Sequence, residues 1–215
     1  HIDDQVLREL SDRLTYLRNL EDRKAEVAKA ITDQGKFTDE IAAALSSAQT
    51  LTEVEDVYRP YKQKKKTRAS VAIAKGLQPL AELMLAQEIK EGSPESYAEP
   101  YINEELGVKS AAEALAGASD IIAEKISDDA ELRKKLRRIF TRNGEISSKM
   151  KETTDEAAKV YEGYADYSEP ISEIKSHRVL AINRGEKEGY LKVKAGIDKD
   201  FGARVCMASY VKTGS

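Results

Sequence analysis

Tryptophan is absent from this 215-residue sequence, which has one cysteine, Cys206, and two histidines, His1 and His177. A single cysteine excludes an internal disulfide framework, and with two histidines it provides too few ligands for a closed zinc site. The sequence also lacks a phosphate-binding P-loop, a glycine-rich dinucleotide fingerprint and a Gly-x-Ser-x-Gly nucleophile motif. We therefore expect that this chain is not an enzyme and that it binds no metal or cofactor.

Long apolar runs are also missing. None approaches the roughly 20 residues that a helix needs to cross a bilayer, so we expect no contact with a membrane. No signal peptide is visible, and the single cysteine fits a reducing cytoplasm. The chain starts at His1 without a methionine, and residues 211–215 carry no natural stop signal. We therefore expect a fragment of a cytoplasmic protein, present as a monomer.

Charged residues make up 34% of the chain and aromatic residues only 6%, with Ala, Leu, Glu and Lys recurring. This composition favours helices over sheets. The 35 basic residues are balanced by 38 acidic ones, which gives a net charge of -3. That balance excludes a generally polycationic nucleic-acid binder, so any site for a polyanion must be a local patch.

Apolar residues three, four or seven apart between Val6 and Ile31 predict a long amphipathic helix that Gly35 ends. A coiled-coil arm is the alternative, but Arg23 and Lys24 interrupt the stripe, and we prefer a helix packed against its neighbours. Further helices are expected near residues 38–47, 51–58, 77–90, 110–126, 128–143, 154–164 and 176–185. The segment 91–106, rich in glycine and proline, predicts a boundary between an N-terminal helical group, 1–91, and a second group, 107–215.

Two segments alternate between apolar and polar residues as strands do, residues 146–150 and 190–197. We expect them to pair, whereas the sequence Ser-Glu-Pro at 168–170 predicts a break. The predicted fold is therefore mainly α, a multi-helix scaffold with a small β-ribbon near the C-terminal end.

A rigid elbow is predicted at Tyr58, Pro60 and Tyr61. Thr52 and Glu55 have capping-box spacing for the helix that precedes it. Pro60 restricts the residue before it to extended geometry and so ends that helix. The two tyrosines are expected to bury their rings while their hydroxyls stay hydrated.

A cationic loop follows the elbow. It contains Lys62, Lys64, Lys65, Lys66 and Arg68, and Thr67 is placed to cap the next helix. Cations at a helix start oppose the macrodipole, and an anion bound there would explain them. We therefore predict that these five residues contact phosphate, although a solvated loop is the alternative.

A second basic cluster spans residues 133–142. Lys134, Arg138 and Arg142 are its candidate nucleic-acid contacts, but cations near a helix end are also what the macrodipole favours. Neither cluster is interleaved with aromatic residues, so contacts would be to backbone phosphate without sequence readout.

The segment LTEVEDVYRPYKQKKKTRAS, residues 51–70, resembles a segment of the Tex family that reads about L-T-E-L-E-D-L-Y-x-P-Y-K-x-K-x-x-T-R-A. The similarity continues in order with ALAGA at 114–118, DIIAE at 120–124, DYSEP at 166–170, SHR at 176–178 and RGEKEG at 184–189. Tex proteins are bacterial transcription accessory proteins, related to a eukaryotic elongation factor. The resemblance covers most of the chain.

The resemblance implies a mostly helical scaffold, cut before an RNase H-like domain, in a protein that also has helix-hairpin-helix motifs and a C-terminal RNA-binding barrel of the OB type. It implies RNA or DNA as partner of the whole protein, together with the transcription machinery. We expect a nucleic-acid-binding transcription accessory protein in which this part is a scaffold that touches phosphate. The alternative is a protein–protein docking module with no nucleic-acid contact of its own.

Overall fold

The computed structural model describes residues 3–89 and 91–212, and the mainly helical fold expected from the sequence is confirmed. Its α-helices are α1 Asp4–Thr32, α2 Asp39–Ser47, α3 Leu51–Tyr58, α4 Arg68–Ala74, α5 Gln78–Ala86, α6 Pro94–Ala98, α7 Ala111–Asp128, α8 Ala130–Asn143, α9 Ser176–Lys187 and α10 Lys199–Tyr210. The strands are β1 Glu145–Met150, β2 Asp166–Pro170 and β3 Leu191–Gly196. The 3-10 segments are Arg59–Tyr61, Glu99–Tyr101 and Glu156–Tyr164. Among the described residues, no helix combines the length and the apolar character that spanning a bilayer demands.

Contacts divide the chain into two compact units. The first runs to Arg133 and includes Lys212, and the second comprises residues 134–211. This division differs from the predicted groups 1–91 and 107–215. The reason is that α7 packs against α4 and α5, so one core joins residues from both sides of the segment 91–106.

One core of the first unit is formed by α1, α2 and α3. Buried residues of α1 are Leu20, Val27 and Ile31, and they pack against α2 and α3. The first half of α1 behaves differently, because its apolar side chains are exposed. These side chains are Val6, Leu7, Leu10, Leu14 and Leu17. The prediction that α1 packs against its neighbours therefore holds for its second half alone.

The other core of the first unit joins α4, α5, α6 and α7. Gly117, in the middle of α7, lies against the buried side chain of Leu77. A Cβ atom at Gly117 would lie 2.4 Å from Leu77 Cδ1 and 3.3 Å from Ala72 Cβ. This close approach of Leu77 and Ala72 explains why a glycine occupies the middle of a helix.

The second unit contains an antiparallel sheet with the strand order β2-β1-β3. The predicted pairing of β1 with β3 is confirmed, with Ser148 opposite Val193. Strand β2 was predicted as a break, and it is a strand because it pairs with β1 along its length. Helix α10 was not predicted. Gly185 does not end α9 but lies within it, where its missing Cβ makes room for Leu191 Cδ1, 2.7 Å from the position a Cβ would take.

Polar side chains cap several helices of the structure. Thr38 and Ser110 accept hydrogen bonds from the third residue of their helices. The helix α3 is capped by Thr50 rather than by the predicted Thr52, which lies inside the helix. Asp129 accepts a hydrogen bond from the backbone amide of Leu132 at the start of α8.

Candidate nucleic-acid interface

The predicted elbow joins α3 to the basic loop. Tyr58 and Tyr61 are half-buried against the core of α1, α2 and α3, and the guanidinium of Arg23 lies 5.7 Å from the centre of the Tyr58 ring. The prediction of extended geometry at Arg59 is wrong, because its φ of -51° and ψ of -44° are helical. Pro60 sits in a 3-10 turn that continues α3, and the backbone becomes extended at Lys62.

Thr67 caps α4, as predicted. Its side chain accepts a hydrogen bond of 3.0 Å from the Ser70 amide, and Ser70 Oγ accepts one of 2.8 Å from the Thr67 amide. This reciprocal box satisfies two amides at the start of a helix of seven residues. These two amides therefore do not need a bound anion as a hydrogen-bond acceptor.

The anions near the loop are carboxylates of the protein itself. Three acidic residues spaced four apart, Asp120, Glu124 and Asp128, form one row along α7 and face the loop. We call them the acidic row. Lys64 Nζ donates to Glu124 at 3.1 Å and also to Asp128. Arg59 Nε donates to Asp128 Oδ1 at 2.8 Å, and Arg68 Nε lies 3.4 Å from Asp120 Oδ1.

These contacts make Lys64 a structural residue. Its side chain is 29% exposed, and Asp128 is buried. Desolvation lowers the pKa of Lys64, but the hydrogen bonds to Asp128 and Glu124 outweigh it and raise the pKa above 10.5. The ammonium of Lys64 therefore stays charged, and it forms the ion pairs that join the loop to α7.

Other cations of the loop remain available to a partner. Lys65 and Lys66 are exposed, and the structure shows no ion pair for them among the residues it describes. Lys62 Nζ lies 3.8 Å from Glu55, and both side chains are largely exposed, so that pair is weak in water. The predicted contacts from these three lysines stay a prediction.

An open groove of about 510 Å³ lies beside the loop, between α4 and α7. Lys66 and Arg68 line one part of it, and Glu113 and Asp120 line another. Because both signs of charge border the groove, it does not form a uniformly positive channel for a polyanion. Lys66, exposed at its edge, is the part that suits phosphate.

The second basic cluster lies on α8. Lys134, Arg138 and Arg142 are spaced four apart, so they share one face of the helix. Arg138 and Arg142 are exposed, whereas Lys134 is half-buried. Arg133, at the start of the cluster, points to the interior, and its Nε donates a hydrogen bond of 2.7 Å to buried Asp56. Nucleic-acid contact by this cluster also stays a prediction.

Sequence analysis missed the acidic row of α7. Its signal was present as Asp120, Glu124 and Asp128 at intervals of four, which places them on one face of a helix but does not show what that face contacts. Over residues 3–89 and 91–212, the structure brings no three His, Cys, Asp or Glu side chains together as metal ligands.

Comparison with known proteins identifies the family. A family model described as Tex central region-like matches residues 90–211. Over 192 residues the chain is 41% identical to the transcriptional accessory protein Tex of Neisseria gonorrhoeae, covering 89% of this chain and 25% of that protein. Over 220 residues it is 37% identical to protein tex of Bordetella pertussis, covering all of this chain and 28% of that protein.

A more distant similarity reaches a human protein. The chain is 28% identical over 219 residues to the human S1 RNA-binding domain-containing protein 1, covering 96% of this chain and 21% of that protein. The chain thus spans between about a fifth and about a quarter of the length of these relatives. The resemblance found in the basic-loop segment and in the later motifs is confirmed. This chain belongs to the Tex family of transcription accessory proteins.

Proposed function

We propose that this chain is the helical scaffold of a cytoplasmic, nucleic-acid-binding transcription accessory protein, and that its basic loop contacts phosphate. The proposal rests on one observation: some cations of the loop form ion pairs with α7, whereas others are exposed. Lys64 holds the loop against α7, while Lys65 and Lys66 stay exposed beside it. A loop fixed by ion pairs presents its remaining cations in a defined place, which lowers the cost of ordering them on binding.

Contacts of this kind would be electrostatic and independent of sequence, because the loop offers no aromatic side chain on which bases could stack. The names of the relatives support the proposal. One is a transcriptional accessory protein, and another carries an S1 RNA-binding domain. We further propose that the chain acts as a monomer and without catalysis.

Binding to labelled single-stranded RNA and duplex DNA, followed by fluorescence anisotropy across a salt series, tests the proposal. The variant Lys65→Glu/Lys66→Glu leaves the Lys64 ion pairs intact. Each phosphate contact contributes roughly 0.7 to the slope of log affinity against log salt for a single strand. We therefore expect the variant to bind RNA more weakly, with a slope smaller by about 1.4.

A matched control carries the same change of charge elsewhere in the first unit. Lys36 and Lys109 are exposed, so Lys36→Glu/Lys109→Glu alters the net charge equally without touching the loop. If the loop variant and this control bind alike, the loop has no phosphate role. Metal-dependent cleavage of RNA or DNA by the chain would overturn the proposal that it is not an enzyme.

The second candidate is a protein-docking scaffold without nucleic-acid contact of its own. The ion pairs of α7 favour it, because they engage Lys64 and, at an exposed position, Arg68, two of the five cations from which the loop was identified. Absence of RNA and DNA binding at low salt would support this candidate and would overturn the nucleic-acid function.

A further inference from the structure

One face of the sheet in the second unit carries a group of lysines. Residues alternate between the two faces of a strand. Ile146, Ser148 and Leu191 are buried on the inner face, where α9 packs against β3. The opposite face of β1, β3 and the residue after β1 carries four exposed lysines, which we call the lysine face: Lys149, Lys151, Lys192 and Lys194.

The register places these charges close together. Lys149 is directly opposite Lys192, and Lys194 is opposite Ser147 on the same face. Side chains directly opposite each other have Cβ atoms about 5 Å apart, and those two residues along a strand are about 7 Å apart. Like charges in direct opposition destabilise a sheet. The Lys149–Lys192 pair therefore opposes stability.

The fold compensates the charge of this face only in part. Among the residues that the structure describes, no ion pair involves Lys149, Lys151, Lys192 or Lys194. Asp166, on β2, is opposite Lys149 on its other side, and Glu145 lies at the far end of β1. Lys192 and Lys194, on the edge strand β3, have no acidic residue directly opposite them. The half of the face formed by β1 and β3 is thus positive, with Asp166 opposite one of its lysines.

We infer that the lysine face contacts the phosphate backbone of a nucleic-acid strand. This inference rests on the proposed nucleic-acid function and names a second place where binding occurs. A nucleic-acid backbone carries negative charge at regular intervals, which complements lysines repeated along two neighbouring strands. The outer positions of β1 and β3 hold no apolar or aromatic side chain, which disfavours a lipid surface and base stacking. Contacts are to phosphate alone.

The variant Lys149→Glu/Lys192→Glu in the 215-residue chain tests the inference. Its probe is a fluorescein-labelled oligouridine, titrated across a salt series. We expect affinity at low salt to fall on the order of tenfold, and the salt slope to decrease by about 1.4, the share of two phosphate contacts. The matched control is Lys187→Glu/Lys199→Glu, which alters two exposed lysines of the same unit that lie off the face. We expect the control to retain affinity within about twofold.

A single substitution, Lys192→Glu, tests whether misfolding rather than lost contacts explains weaker oligouridine binding. It places a carboxylate opposite Lys149, so the protein should fold at least as stably as the wild type while binding more weakly. Weaker binding by a variant of equal or higher thermal midpoint supports the inference.

The outcomes separate the two proposals. If the wild-type chain binds neither oligouridine nor duplex DNA at low salt, the nucleic-acid function fails as a whole. If the wild type binds and the loop variant weakens it, but the lysine-face variant equals its control, the inference alone is overturned. Binding of poly-L-glutamate to this face without binding of oligouridine would also overturn it, in favour of an acidic protein partner.

Discussion

Arg133 Nε donates a hydrogen bond of 2.7 Å to Asp56 Oδ1, and the two residues are 77 positions apart in the chain. The side chain of Asp56 is only 6% exposed, whereas that of Arg133 is 33% exposed. Arg133 also donates to the backbone carbonyl of Ser127 at 3.2 Å. The pair therefore connects α3 to the start of α8 and places a positive guanidinium beside a buried carboxylate.

Arg133→Met is expected to destabilise the protein by about 3 kcal/mol, because it removes a cation that is hydrogen-bonded to the buried carboxylate of Asp56. The double variant Asp56→Leu/Arg133→Met should lose less, since it removes the buried charge as well. Urea denaturation followed by circular dichroism measures both. Arg138→Met, at an exposed position of the same helix, is the control and should change stability little. A double variant less stable than Arg133→Met would contradict this account.

Gly117→Ala should destabilise the first unit by about 1–3 kcal/mol, although alanine is the better helix former. The added Cβ would overlap the side chain of Leu77, which is 1% exposed and has little room to move. Adding Leu77→Val shortens that side chain, so the double variant should recover part of the loss. Gly163→Ala is the comparison, since nothing lies within 4 Å of its Cβ position. Equal effects of the two alanines on the thermal midpoint would refute the packing explanation.

Glu188 joins two elements of the second unit through hydrogen bonds. It accepts from Arg184 Nε at 2.8 Å and from the hydroxyl of Tyr161 at 2.6 Å. These bonds, that from Arg184 first, lower the pKa of Glu188 below its ordinary value of 4.5. The bond to Glu188 is also the main reason that the pKa of Tyr161 is raised above 10.0.

The sign of each shift fixes how stability depends on pH. A carboxylate with a lowered pKa stabilises the fold above its unfolded pKa, and that contribution is lost as pH falls through the folded pKa. A tyrosine with a raised pKa stabilises the fold below its unfolded pKa, and its contribution is lost as pH rises through the folded pKa. Glu188→Gln should therefore flatten the acid limb of a stability–pH curve below about pH 4.5.

Tyr161→Phe should flatten both the acid and the alkaline limbs, because it removes the shared hydrogen bond. Urea midpoints measured across pH test this, with Glu173→Gln at an exposed position as control. Limbs as steep in Tyr161→Phe as in the wild type would show that the hydroxyl contributes nothing to the pH dependence.

Lys192→Glu should raise the stability of the second unit by about 0.5 kcal/mol, because it replaces a like-charge pair with an opposite-charge pair across the strands. Lys194→Glu is opposite Ser147 and should have a smaller effect. The gain should shrink at high salt, which screens exposed charges. A thermal midpoint unchanged by Lys192→Glu at low salt would mean that the two ammonium groups do not interact.

Local patterns in the sequence predicted the local structure well. Apolar spacing identified α1, and Thr67 marked the start of α4 by capping chemistry that acts within a few residues. Alternation identified β1 and its partner β3. Strand β2 could not be found this way, because its sequence ends in proline and its extended form depends on pairing with β1.

The candidate interface shows the same limit. The basic loop was visible as a run of lysines, but Asp128 lies 64 residues after Lys64, and a single sequence does not reveal that contact. The lysine face was equally hidden, because its members are divided between β1 and β3 and become neighbours only through the register. The sequence therefore predicted where basic residues cluster, but it did not predict which of them form ion pairs with distant acidic residues.

The exposure of the first half of α1 affects how fast its backbone amides exchange hydrogen with solvent. Its apolar side chains are exposed, and the buried residues of α1 begin at Leu20. Backbone amides near Leu10 are thus protected by the hydrogen bonds of the helix alone, which can open by fraying from one end. Amides near Val27 belong to a packed core and exchange with solvent only when that core opens. One continuous helix of 29 residues therefore spans two regimes of hydrogen exchange, fast at its start and slow at its end.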